Sequence, residues 1–384
     1  MTKASLRWYE RPAGWFAITL LLVLIGSAAY LQLQTPPPGA AKSAATPGPN
    51  VRAGPTPTHV PSPTTVSTPV PPSAGASGID TVWARLQGGA AHADDLAELR
   101  RQLLAGDPRQ SIAAIRAFLA TGRDAATGEA FGIGEKGALA GAPTLRVLLM
   151  DLLGQIAART GGGEAAQVGR EILGAKTTAD EWAVSLRNVG QHEPAATPYL
   201  AGKAREMLAW QPWRSAPSGG FLESFDVPVF AADASFVPVF SELSHSETNP
   251  LKRAATVAMD RLSEANPLAV MDYLNAHPTE FADRPFLRAD YYGKADLSNG
   301  QQRGAVEAYL TRADVTLDEK AKVIASLVSP ASFISDALLS APALRPESPA
   351  RQNAVPTTLR AWSTDERFTA LRPVIVQTLQ QIGK

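Results

Sequence analysis

The string that comes nearest to a catalytic motif is Gly132-Ile133-Gly134-Glu135-Lys136-Gly137. Its glycine spacing matches a dinucleotide fingerprint, in which backbone N–H groups approach a pyrophosphate at the start of a helix. That chemistry needs an apolar strand before the glycines and an acid about 20 residues later. Here Thr127-Gly-Glu-Ala-Phe131 precedes them, and helical patterns lie on both sides. The context supports a glycine-rich loop between helices, free enough in its backbone to close over a partner. The five histidines are His59, His92, His192, His245 and His277. No two share the i, i+4 spacing that puts two metal ligands on one helix face. His92 with Asp94 and Asp95, or His245 with Glu247, could contribute to a site built from distant segments. Surface or capping roles are the simpler expectation for each. Neither a phosphate-binding G-x-x-x-x-G-K-[ST] loop nor a G-x-S-x-G nucleophile turn is present. With no cysteine, thiol nucleophiles, disulfides, Cys-ligated zinc and iron–sulfur clusters are excluded. No catalytic residue, cofactor or metal is therefore assigned, and a small-molecule ligand is left open.

Two aromatic clusters are better suited to binding than to catalysis. The first is Trp210-Gln-Pro-Trp213-Arg214, followed by a Pro/Gly-rich stretch to Phe221 and by Phe225. Two tryptophans, an arginine and phenylalanines in a loop have the composition of an interaction hot spot. The bland alternative is that the rings plug the end of a helix stack. The second is Asp283-Arg284-Pro-Phe286-Leu-Arg288-Ala-Asp290-Tyr291-Tyr292. Structural ion pairs with buried rings would explain it equally. The candidate partner-binding residues are Trp210, Trp213, Arg214, Phe221, Arg288, Tyr291 and Tyr292.

The elements that carry these clusters read as helices from Ile79 to the end of the chain. Leu96, Leu99, Leu103 and Leu104 form one apolar stripe. Leu145, Leu148, Leu149, Leu152, Leu153 and Ile156 form the cleanest, at i, i+3, i+4, i+7, i+8 and i+11. Further stripes lie at Leu251 to Leu262, Leu317 to Val328 and Leu371 to Ile382. Asp107-Pro108, Asn249-Pro250 and Asn266-Pro267 read as N-caps with proline at the first helical position. Thr178-x-x-Glu181, Thr316-x-x-Glu319 and Ser363-x-x-Glu366 read as capping boxes. Val227-Pro-Val-Phe230 and Val237-Pro-Val-Phe240 come nearest to strands. Proline inside each argues for a helix start or an extended connector instead. The expected fold class is all-α.

Two segments resemble HEAT repeats. Leu145-Arg146-Val-Leu-Leu149 through Leu153-Gly154-Gln-Ile156-Ala157 is similar to the second helix of such a repeat, which reads V-R-x-x-A and then L-G-x-(I/L)-A. Leu251-Lys252-Arg253-Ala254-Ala255 through Leu262 is similar to the same pattern. Pro238 to Leu243 fits the end of a preceding first helix. The resemblance covers about 60 residues strictly, and its period is irregular. Gly122 to Ala142 intrudes between two helices. The resemblance implies an array of helical hairpins stacked into a solenoid, or an irregular helical domain with the same packing. Such an array buries faces that single hairpins cannot, and leaves a long surface for partners. Arg146 is expected to pair with an acid of a neighbouring repeat.

The chain of 384 residues is neutral, with 36 basic and 36 acidic residues, which argues against a nucleic-acid partner. The charge is uneven. Residues 1–78 hold Lys3, Arg7, Arg11, Lys42 and Arg52 against Glu10 alone, so the remainder is net acidic. No charge falls between Arg11 and Lys42. As a helix, Trp15 to Leu33 would span about 28 Å, close to the roughly 30 Å of a bilayer core. The basic flank predicts an N-terminus in the cytoplasm. The expected organisation is a cytoplasmic tail (1–14), a transmembrane signal anchor (15–34), a linker (35–78) and a helical domain (79–384). A lobe division near 215–225 is possible. A cleaved signal peptide, cut after Ser27-Ala28-Ala29, is the rival reading of the apolar segment. The linker holds twelve prolines, and valine is its only large aliphatic residue. It is expected to be disordered and extended, reaching up to about 130 Å.

These features point to a single-pass protein of the bacterial inner membrane, with its helical domain in the periplasm or cell exterior. The expected function is a scaffold that binds an envelope protein. An envelope hydrolase with paired carboxylates assembled by folding is the alternative.

Overall fold

The computed structural model describes residues 74–90, 93–331, 336–340 and 349–383. The segments expected to form a cytoplasmic tail (1–14), a membrane anchor (15–34) and nearly all of a linker (35–78) lie outside the described residues, as do His59 and His92. No helix among the described residues is long and apolar enough to cross a membrane.

The described chain is all-α apart from one small hairpin. Helices α1 (Ala74–Gln87), α2 (Ala93–Ala105) and α3 (Pro108–Ala120) come first. The hairpin β1 (Gly132–Ile133) and β2 (Leu139–Gly141) is antiparallel and occupies the glycine-rich string. Next come α4 (Leu145–Ala157), α5 (Gly163–Leu173), α6 (Ala179–His192) and α7 (Thr197–Ala209). Three single-turn helices follow: α8 (Gln211–Ser215), α9 (Gly219–Glu223) and α10 (Asp226–Phe230). The second half holds α11 (Val237–Ser244), α12 (Asn249–Ala265), α13 (Pro267–Ala276), α14 (Pro285–Gly293), α15 (Gly300–Thr311) and α16 (Leu317–Val328). It ends with α17 (Pro349–Thr364) and α18 (Arg372–Ile382).

Local chemistry sets most of the starts. Asp107, Thr144, Thr178, Asn266 and Thr316 each accept a hydrogen bond from a backbone N–H of the first turn. Three starts differ from expectation. α12 has Thr248 at its N-cap position, one residue before Asn249, with no hydrogen bond from its side chain to the first turn. Ser363 lies inside α17, and Asp365 caps the following 3-10 turn instead. α1 begins at Ala74, ahead of the boundary expected at 78, because the turns that bury Ile79 and Val82 extend back through small residues. Both Val-Pro-Val-Phe segments are helical, in α10 and α11.

Packing follows chain order. In the first half α1 to α6 each meet their neighbours, and α1 meets α3, α2 meets α4 and α4 meets α6. In the second half α11 meets α12 and α13, α13 meets α15, α14 meets α16 and α16 meets α18. One apolar core runs from Ile79 to Ile375. It passes straight through 215–225, where Phe221 meets Phe225 edge-on and Phe225 stacks on Phe240.

A ladder of buried ion pairs joins helices two apart in the chain. Arg187 of α6 donates to Asp151 of α4 at 2.5 Å, with side chains 1% and 0% exposed. Arg146 of α4 donates to Glu181 of α6 at 2.7 Å and to the Leu119 carbonyl at the end of α3. Arg261 of α12 pairs with Asp226 of α10. Lys294, just after α14, pairs with Asp260 and Glu264 of α12. Arg288 of α14 holds Glu319 of α16 through two hydrogen bonds. The close approach of α4 and α6 needs Gly154. A Cβ there would sit 2.4 Å from the Asn188 side-chain oxygen and 3.1 Å from the Arg187 guanidinium.

The hairpin and a remote segment are tied to this ladder. The Gly137 carbonyl accepts from Arg187 at 2.7 Å, and the Leu139 N–H donates to Asp151. Gly137 has φ +77°, and a Cβ on it would lie 2.4 Å from the Leu338 carbonyl oxygen. The glycine-rich loop thus closes over the chain's own residues 336–340. Asp226 holds that segment by accepting from the backbone N–H groups of Leu339 and Ser340 and from the Ser340 hydroxyl. Leu338 is fully buried.

Removing one partner of a buried pair leaves an uncompensated charge. Asp151→Ala is expected to lower unfolding stability by about 3–5 kcal/mol in urea titrations. Asp151→Leu combined with Arg187→Met is expected to recover only part of that loss, because the Leu139 N–H, the Gly137 carbonyl and the Asn188 side chain lose their partners.

Candidate functional site

An aromatic surface is built where α7 ends. Trp210 leaves the helix in an extended conformation, at φ −75° and ψ 104°. Gln211-Pro212 then starts α8, with proline in its first turn. The Trp210 carbonyl accepts from the N–H groups of both Trp213 and Arg214. This single turn carries Trp213 back toward α6, where it meets Trp182. The two ring centroids are 5.3 Å apart at 67°, and Trp210 and Trp213 are 6.5 Å apart at 68°. Edge-on arrangements of this kind suit the ring quadrupole.

Trp182 is 1% exposed, and its indole N–H donates to the Ala175 carbonyl at 2.7 Å. Trp213 is half-buried and Trp210 is 39% exposed. The three rings form a step from core to solvent. Lys176, on the short link between α5 and α6, places its ammonium nitrogen 4.1 Å from the Trp210 ring centroid. The same nitrogen lies 5.3 Å from Trp182 and 5.9 Å from Trp213. Lys203 of α7 lies 5.2 Å from Trp182. Glu206 accepts from Lys176 and Lys203, each at 2.9 Å. Hydrogen bonds from Lys203 and then Lys176 hold its carboxyl below the usual carboxylate range. Arg214 reaches Glu242 of α11 at 3.1 Å, which ties α8 to the next helix pair.

The other candidates are placed differently. Phe221 is fully buried against Phe225, turned inward by α9. Asp180 accepts from the Ser218 hydroxyl and the Gly220 N–H and so holds α9 onto α6. Arg288, Tyr291 and Tyr292 share the inner face of α14 and are all buried. Arg288 serves the ion-pair ladder. Tyr292 stacks on Tyr309 at 3.9 Å and donates to Asn275. Tyr291 packs edge-on to Phe281, and burial pushes its hydroxyl well above the usual phenol range. A partner docking on this surface meets none of these four side chains. The i, i+3 and i+4 spacing of Arg288, Tyr291 and Tyr292 is that of a buried helix face, which explains the placement of those three. From the same segment Phe286 is the exposed ring, at 57%.

Sequence reasoning missed Trp182, Lys176, Lys203 and Glu206. Lys203 and Glu206 are an i, i+3 pair on α7, the helix that Trp210 ends, and that spacing was the available signal. Lys176 and Trp182 are brought to them only by tertiary packing. Among the described residues no group of three or more histidines and acids is placed to hold a metal ion.

The two outer tryptophans differ in what they support. Trp210→Ala is expected to change unfolding stability by under about 1 kcal/mol, as an exposed ring. Trp213→Ala is expected to cost about 2–3 kcal/mol by uncovering Trp182. Urea unfolding of both variants checks the order. In comparison with known proteins, no family model, no curated protein and no solved structure matches this chain.

Proposed function

We propose that this chain is a membrane-anchored scaffold that docks an envelope protein through its tryptophan-bearing surface. The exposed Trp210, set on Trp213 and Arg214 and backed by a packed helical frame, is the observation that carries the reading. Large aromatic rings and arginine are the residue types that supply most binding energy at protein interfaces. A rigid base beneath them limits the ordering cost of association.

The N-terminal sequence supplies the setting. An apolar segment over 15–34 behind a basic flank suits a single span of the bacterial inner membrane. A proline-rich linker would then hold the helical domain away from the bilayer, in the periplasm or cell exterior. The HEAT-like reading belongs to the same proposal. Helices that meet their neighbours and their next-but-one neighbours, joined by ion pairs at that same interval, are what stacked hairpins would give.

One pair of acids bears on the hydrolase alternative. Burial raises the Glu223 carboxyl above its usual range, and the nearby Asp226 charge adds to the effect. Both oxygens of Asp226 are, however, engaged by Leu339, Ser340 and Arg261. Asp226 is thus committed to holding residues 339 and 340 and Arg261, which favours the scaffold reading.

The test is crosslinked affinity capture from native membranes with tagged full-length protein, against a Trp210→Ala/Trp213→Ala control. One envelope protein recovered near stoichiometry, and lost with the control, is expected. Equal recovery with the control would remove the tryptophan surface from the interface.

A further inference from the structure

The tryptophan surface already holds a cation. Three indole rings lie within about 6 Å of the Lys176 ammonium, the range in which a ring face attracts positive charge. The Trp213 ring stands at 67° to Trp182 and at 68° to Trp210, so it forms a wall against each and not a stack. A carboxylate, Glu206, closes the remaining side. Three aromatic walls and one acid make a cage for an alkylammonium group. We propose that this cage binds a methylated ammonium group, and that Lys176 is the internal occupant which such a group displaces. The inference rests on the reading of this surface as a docking site and names the chemistry it recognises.

Charge balance permits the exchange. Glu206 is shared by Lys176 and Lys203. One cation leaving as another enters preserves the count, and Lys203 continues to satisfy Glu206. The fold permits it as well. Lys176 is exposed on the link between α5 and α6, while Trp182 stays anchored by its own bond to the Ala175 carbonyl. The open edge of the cage is Trp210, 39% exposed.

Competition selects the ligand class. A free lysine ammonium must displace a tethered one of equal chemistry, present at an effective concentration on the order of millimolar or higher. It must also shed a strongly held hydration shell. A methylated ammonium carries the same charge with weaker hydration, and its methyl groups pack on the ring faces. The docking reading of this surface favours a methylated lysine side chain of a protein partner; a choline headgroup carries the same chemistry and is the competing outcome of the test.

The experiment follows tryptophan fluorescence of full-length protein titrated with choline, with Nε-trimethyllysine and with lysine. Wild type is expected to respond saturably to at least one methylated cation and not to lysine. Lys176→Ala is expected to tighten that response about tenfold, since the cage is then vacant instead of about nine-tenths occupied. Adding Trp210→Ala to Lys176→Ala is expected to abolish it. Tighter binding of Nε-trimethyllysine than of choline is expected, and tighter binding of choline would overturn the protein source in favour of a headgroup. No saturable response by Lys176→Ala at about 100-fold the millimolar effective concentration of the tether overturns the inference. So does equal binding of lysine. The two readings fail separately. Capture of a protein partner without cation binding leaves the docking surface and removes the cage. Cation binding without capture leaves a ligand site and removes the protein partner.

Discussion

The buried pair between Arg187 and Asp151 is the constraint on which the first half of the domain depends. Burying two charges is costly, and their attraction alone does not guarantee a net gain. What the pair specifies is position. The Arg187 guanidinium also reaches the Gly137 carbonyl and the Asn188 side chain, while Asp151 also accepts from Leu139. One salt bridge thus sets the spacing of α4 and α6, the docking of the hairpin and the need for glycine at 154. A slip of either helix by one residue would leave several buried polar groups unpaired at once. The pairs from Lys294 and Arg288 repeat the device in the second half, each across one intervening helix.

The tryptophan surface inherits its rigidity from this frame. α6 is held at its start by Glu181 to Arg146 and further along by Arg187 to Asp151. Between those points sits Trp182, the base of the aromatic step. Asp180 holds α9, and Arg214 ties α8 forward to α11. The rings are therefore presented by elements fixed on both sides, although α8 is only a single turn. Lys176 and Lys203 cover the ring faces and keep a large aromatic patch soluble.

The helices were legible because their signals are local. The Leu145 to Ile156 stripe, the Asp107 cap and the Thr178 and Thr316 boxes each lie within one or two turns. The departures also have local causes. Ser363 and Asp365 both offer a capping oxygen within one turn, and packing of Trp362 on Phe368 favours continuing α17 to Thr364. Long-range features were not legible. Arg288, Tyr291 and Tyr292 look alike as a surface patch and as a buried face until their partners Glu319 and Tyr309 are known. Residues 336–340 show no periodicity, yet Asp226, more than a hundred positions earlier, holds them. Trp182 gave no sign in the sequence that it would meet Trp213. Arg146 is intermediate: the HEAT-like pattern led to the expectation of an ion pair, but the identity of Glu181 came only from the fold.

If, as proposed, Trp210 is presented to a partner in the envelope, its ring is shielded from solvent in native membranes. Hydroxyl-radical footprinting tests it most directly, comparing purified full-length protein with the same protein in native membranes. Trp182, 1% exposed, and Phe286, 57% exposed, are internal references for buried and open rings. Trp210 is expected to be oxidised in the purified protein and several-fold protected in membranes, while Phe286 reacts equally in both. Equal oxidation of Trp210 in the two samples would contradict it.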